Sequence, residues 1–135
     1  MNKNDIVWKP EYSVGHREID TQHKYLFELC RSLAAICKIA ENRLSMEQAL
    51  LSLLDYVDFH FSDEEKYYRD HPEFELHRDI HQQFINQAKD FETRFHKHEL
   101  DPEEVVTFLY KWLVDHIIGI DRRFFQEIET LEGAQ

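Results

Sequence analysis

Four stretches of this chain place apolar residues at helical spacing, and only short breaks separate them. In the first, Leu26, Leu29, Cys30, Leu33, Ile36, Cys37 and Ala40 recur three or four apart, which predicts a helix from about Asp20 to Ala40 with Asp20 as N-cap. In the second, Leu50, Leu53, Leu54, Val57 and Phe61 form the stripe of a helix from about Met46 to Arg69. Ser45 and Gln48 ahead of it have the spacing of a capping box. Asp70-His71-Pro72 is a break, because proline disfavours helix in the residue before it and suits the first turn of the next. The third stretch runs from about Glu73 to His98, with Phe74, Phe84, Ala88, Phe91 and Phe95 on one face. Asp101-Pro102-Glu103-Glu104 joins a capping Asp to a first-position Pro and starts a fourth helix, to about Glu129. Its stripe is Val105, Leu109, Trp112, Leu113, Ile117, Ile120, Phe124 and Ile128. Long helices joined by short connections pack as antiparallel neighbours. The expected fold is all-α, an antiparallel up-down-up-down four-helix bundle.

Composition agrees with this class. A chain of 135 residues suits one core, and 3 Gly with 3 Pro leave little turn chemistry for a many-stranded sheet. Residues 1–19 read as an N-terminal arm, interrupted by Pro10 and Gly15, with Ile6, Trp8, Tyr12 and Val14 available to dock on the bundle. Residues 20–130 are the bundle, and 131–135 a frayed tail. The net charge of -11 argues against nucleic acid and anionic membrane as partners. No apolar run approaches the ~18 residues of a membrane span. The first residues lack a signal peptide's apolar region, so a cytoplasmic location is expected. Cys30 and Cys37 lie about 10 Å apart along one helical face and read as buried thiols rather than a disulfide.

Against this apolar frame stand histidines and acids that need a reason to be there. His77 and His81 are four apart, hence on one helical face, in line with the phenylalanine stripe of the third helix. His60 and Glu64 continue the stripe of the second helix at the same spacing, and His23 lies in the first turn of the first. His116 and Asp121 lie beside or within the stripe of the fourth. In an up-down-up-down bundle the start of the first helix, the end of the second, the start of the third and the end of the fourth share one end. All seven residues fall at a mean depth of ~10 Å from it. Singly, each histidine reads as well as a hydrogen-bonded core residue, and HxxxH alone is a weak signal. Four helices delivering such residues to one end is not. Five imidazoles and two carboxylates exceed the four ligands of a tetrahedral zinc and suit two metals bridged by carboxylates.

His116 and Asp121 are five apart, about 140° around a regular helix. Either Asp121 reaches in from the flank or the helix carries a local distortion such as a π-bulge, which Gly119 between them could relax.

Ile19-Asp20-Thr21-Gln22-His23, His60-Phe61-Ser62-Asp63-Glu64, the HxxxH of His77 and His81, and the HxxxxD of His116 and Asp121 together resemble the hemerythrin family in its bacterial single-domain form. The resemblance covers nearly the whole chain, including Trp8. It implies two non-haem iron ions per chain. One would be held by His77, His81 and His116, the other by His23 and His60. Glu64, Asp121 and an oxo or hydroxo group would bridge them. The two-histidine iron keeps an open position, where the family binds O2 end-on and reversibly. NO or small anions are further ligands for that position.

Neutral histidine ligation keeps the charge of such a centre small. No Glu-x-x-His, the mark of carboxylate-rich ferritin-like sites, occurs in the sequence. That favours reversible binding over oxidation chemistry. Leu26, Phe61, Leu113 and Ile117, each near a ligand in sequence, are candidates for a dry O2 pocket, and Trp112 for its wall; the same residues would also serve as ordinary core. Glu65 competes with Glu64 as the bridge, and spacing decides for Glu64, which shares the face of His60. Asp20, Gln22 and Asp115 are candidate partners of the ligands' outer nitrogens, though solvated surface suits each of them too. His16, His96 and His98 read as surface, and His71 as part of a turn. The expected function is an O2 carrier, store or scavenger and not an enzyme. The alternatives are a di-iron peroxidase or NO-handling oxidase and an O2 or NO sensor, for which this chain has no room for an output domain. No feature marks a protein partner.

Overall fold

The computed structural model describes residues 5–37, 43–97 and 101–133. Helices α1 (Arg17–Cys37), α2 (Arg43–Glu65), α3 (Phe74–His96), α4 (Pro102–His116) and α5 (Arg122–Gly133) follow one another, with α4 and α5 joined through a π-helical turn at Ile117–Asp121. The last two and the turn make one long helix, so the architecture is an all-α four-helix bundle. α1 packs on α2 and α4, and α2 on α3.

The apolar stripes meet in one core. Leu26, Phe27, Cys30, Leu33, Leu50, Leu53, Val57, Phe61, Phe84, Val105, Leu109, Leu113, Ile117 and Phe124 are all buried in it. Ahead of α1, a 3-10 turn at Pro10–Tyr12 lets Ile6, Tyr12 and Val14 join the same core. Gly15 supplies the positive φ of 81° needed to turn the chain into α1. The Lys24 ammonium sits 4.5 Å above the Trp8 ring.

Several helix ends differ from those expected. α1 begins at Arg17 rather than Asp20. His16 is its cap: the imidazole Nδ1 accepts the Ile19 N–H at 3.3 Å. Its ring packs edge-on against Tyr67 with centroids 4.4 Å apart, so His16 is half-buried rather than a surface residue. Asp20 is inside the helix and turns its carboxylate back to the Val14 N–H and the Ser13 hydroxyl. α2 begins at Arg43, which places Ser45 within its first turn instead of at the cap. α2 ends at Glu65 and gives way to a 3-10 turn, Lys66–Tyr68, where α-helix to Arg69 was expected. Asp101 does cap α4, accepting the Glu103 N–H at 3.0 Å with Pro102 next in line. The helical backbone continues to Gly133, beyond the Leu131 at which fraying was expected. The expected ends at Ala40 and His98, and the last two residues of the tail, lie outside the described residues.

His71 is buried in the turn between α2 and α3. It stacks on Phe124 with centroids 4.3 Å apart, contacts Glu127 through Nε2 and accepts the Glu73 N–H at Nδ1. This ties the turn to α5.

Candidate metal centre

All seven residues singled out by spacing meet at one end of the bundle, and all are buried: His23 from α1, His60 and Glu64 from α2, His77 and His81 from α3, His116 from α4, and Asp121 from the π turn. The turn explains how His116 and Asp121 share a site. Its wider pitch is closed by the Arg122 N–H donating to the Ile117 carbonyl five residues back. That extra residue brings Asp121 Oδ1 to 3.0 Å from His116 Nε2.

The seven side chains form two groups that share both carboxylates. In the first, His77 Nε2 and His81 Nε2 lie 3.1 and 2.9 Å from His116 Nε2. Asp121 Oδ1 lies 3.0 Å from His77 Nε2, and Glu64 Oε1 lies 3.6 Å from it. In the second, Glu64 Oε2 lies 2.8 Å from His60 Nε2 and 3.5 Å from His23 Nε2, while Asp121 Oδ2 lies 3.4 Å from His23 Nε2. Each carboxylate thus turns one oxygen to each group.

The donor atoms fit metal better than they fit one another. Neighbouring ligands on an octahedron with bonds of ~2.1 Å stand about 3 Å apart, as His77 Nε2 and His81 Nε2 each do from His116 Nε2. Within the second group His23 Nε2, Glu64 Oε2 and Asp121 Oδ2 are buried with no hydrogen-bond partner among the described residues, although they lie close together. Buried polar atoms left so are costly unless something outside the chain satisfies them. Imidazole and carboxylate together suit iron.

The outer nitrogens fix the tautomers. His81 Nδ1 faces Glu65 Oε2 at 3.0 Å, and His60 Nδ1 faces Gln22 Oε1 at 2.6 Å. Both oxygens only accept, so these rings carry hydrogen on Nδ1 and turn a bare Nε2 lone pair inward. Burial lowers the pKa of both His60 and His81 and keeps them neutral. Burial acts the same way on His23, but the nearby Asp121 and Glu64 carboxylates outweigh it and raise its pKa to about 9. Glu64 feels burial and the Asp121 charge pushing its pKa up, yet its imidazole neighbours prevail and lower it to about 2. Asp121 is likewise held well below the usual carboxylate range despite its burial, by His116, His23 and His77.

Aromatic rings wall the centre. Phe61 lies on His81, Tyr68 on His77 and Trp112 on His116, at centroid distances of 3.8, 4.4 and 4.4 Å. Leu26, Leu113 and Ile117 are buried with Phe61 in the surrounding core. Of the candidate outer partners, Gln22 touches a site histidine. Asp20 serves the turn ahead of α1, and Asp115 is exposed. Two roles escaped sequence reasoning. Glu65 is not a rival of Glu64 but the outer partner of His81. Tyr68, from the 3-10 turn, donates its hydroxyl to Glu64 Oε1 at 3.2 Å. The spacing of Tyr68 four residues after Glu64 was the available signal for the second.

Fold and site together define a metal-binding four-helix bundle with a histidine-rich, carboxylate-sharing core. A family model described as the hemerythrin HHE cation binding domain matches residues 14–128. The chain belongs to the hemerythrin family. It is 26% identical over 127 residues to a bacteriohemerythrin of Stenotrophomonas maltophilia, covering 93% of this chain and 82% of that one. It is 32% identical over 119 residues to a hemerythrin-like protein of Naegleria gruberi, covering 87% and 88%. A crystal structure of wild-type hemerythrin superposes with a TM-score of 0.82 at 27% identity, covering 89% of this chain and 95% of that one. Among the described residues no helix is long and apolar enough to cross a membrane.

Proposed function

We propose that this protein binds O2 reversibly at a dinuclear non-haem iron centre, as a carrier, store or scavenger. In this reading His77, His81 and His116 hold one iron and His23 and His60 the other. Glu64 and Asp121, which belong to both donor groups, would be shared between the two. The observation that carries the reading is unequal donor supply: the shared carboxylates complete a set of five residues on one side and four on the other. The four-residue side is short of a ligand and is where an exchangeable small molecule belongs.

Two iron ions held there would supply the electrons that reversible O2 binding requires. The chain's own residues make that exchange repeatable. The bridging carboxylates hold the two halves at fixed separation. Gln22 keeps His60 turned inward. Leu26, Phe61, Leu113 and Ile117, all buried in the core, are the hydrocarbon that would keep water and protons from bound O2.

The test is anaerobic loading with Fe(II), addition of O2, then sweeping with inert gas while the visible spectrum is recorded. A charge-transfer band that forms and then vanishes is the expected result. A single, permanent passage to a ferric spectrum would favour a peroxidase, oxidase or sensor instead.

A further inference from the structure

Every imidazole of the centre has a second nitrogen, and the five outer nitrogens are not treated alike. Among the described residues, those of His23, His77 and His116 are buried without a partner. His60 and His81 have partners, one in each half, and the partners differ in charge. Gln22 offers His60 a neutral amide oxygen. Its orientation is fixed because the amide nitrogen donates to Asp63 Oδ2 at 2.7 Å. Glu65 offers His81 a carboxylate. Glu64 and Glu65 are successive on α2 and so diverge by about 100°. One enters the core and joins both donor groups, while the other runs along the flank to meet a ring of α3 from behind. The side chain of Glu65 is 19% exposed, so its charge next to His81 is only partly shielded by solvent.

We propose that Glu65 is a positioning residue that makes the His77/His81/His116 half the electron-rich half of the centre, while Gln22 orients His60 without adding charge. This rests on the dinuclear reading above. A carboxylate behind a ligating imidazole locks the ring and raises the basicity of the near nitrogen. An amide locks the ring and does little more. The five-donor half is therefore the more tightly held and the more easily oxidised. The four-donor half stays the labile one, which is the half that must exchange its ligand.

Cobalt(II) is the probe for the positioning role, because it reports ligation apart from any O2 chemistry. Calorimetric titration of the metal-free wild type should show two ions bound per chain. Glu65→Ala should weaken one of them by about 10- to 100-fold and leave the other within roughly twofold. Gln22→Ala should weaken the other ion instead. Glu65→Gln keeps an acceptor and removes the charge. It should retain most of the cobalt affinity but raise the midpoint potential of the iron-loaded protein, a tenfold change in the redox equilibrium being ~59 mV per electron. Thermal unfolding of the metal-free variants confirms that they fold. Two cobalt ions bound equally well by every variant, equal weakening of both ions in Glu65→Ala, or an unchanged potential in Glu65→Gln would overturn the proposal alone. A folded wild type that takes no cobalt would overturn the dinuclear reading and the proposal with it.

Discussion

Phe61 lies flat on His81, their ring centroids 3.8 Å apart and their planes within 2° of parallel. The pair joins α2 to α3 across the inner wall of the centre, and Phe84 and Trp112 pack on the other sides of Phe61. Replacing Phe61 by Leu removes the stack and leaves a partial void beside an imidazole. The expected cost is about 1–2 kcal/mol in urea unfolding of the metal-free protein. The O2-bound form of the iron-loaded variant should also decay faster to a ferric spectrum than wild type, since water gains a path to the site. Equal decay would show that Phe61 is core and nothing more.

His77 lies within 3.1 Å of both His116 and Asp121 and under the Tyr68 ring. His77→Ala should lower both iron content and the melting temperature of the loaded protein, because metal binding and folding are linked. A variant with two irons per chain and wild-type melting would remove His77 from the ligand set.

The metal-free chain should lose stability on the alkaline side. His23 has its pKa raised from the ordinary 6.5 to about 9 in the fold. The contribution of its proton is complete below about 6.5 and disappears as pH rises through about 9. Each pH unit between those two values carries ~1.4 kcal/mol, so the whole contribution is on the order of 3 kcal/mol. His60 and His81, with lowered values, are neutral in the folded chain throughout this window and mostly so in the unfolded one, so they oppose the fall little. Urea midpoints of the metal-free protein at pH 7 and pH 9.5 should show the fall, and His23→Gln should reduce it to the smaller fall due to Cys30 and Cys37, whose thiols burial pushes up to about 12 and about 11. Loading metal at pH 7 should release ~1 proton per chain from His23, readable with an indicator dye in weak buffer.

Gly119 sits inside the π turn, yet an added Cβ would meet nothing within 4 Å, and its φ is not positive. The bulge therefore does not depend on glycine. Gly119→Ala should keep full metal content and gain up to about 1 kcal/mol from helix propensity. Loss of metal in this variant would show that the turn needs glycine's freedom.

The sequence made legible what depends on spacing along one helix. The i,i+4 pairs at His60–Glu64 and His77–His81 define faces, and the five-residue step from His116 to Asp121 announces a break in regular pitch. What depends on the relative rotation of two helices left no such mark. Gln22 reaches His60 across the α1–α2 contact, and Glu65 reaches His81 across α2–α3. Gln22 is a candidate by its place beside His23, but which ring it meets, and that Glu65 meets His81 at all, cannot be read from one strip of sequence. Capping at α1 departs from residue preference for a different reason. Asp20 is the better cap by preference, but its carboxylate is occupied by Val14 and Ser13, and the less usual imidazole of His16 takes the position.

The π turn amounts to a change of phase within one helix. The residues from Val105 to Leu113 and those from Phe124 to Ile128 each keep regular helical rhythm, but the two rhythms are out of step by the residue gained between Ile117 and Asp121. A fourth helix in perfect register could pack just as well along its length, yet it would aim Asp121 away from His116. The bundle gives up continuity of its seam at one point, and that point lies at the end that gathers the ligands.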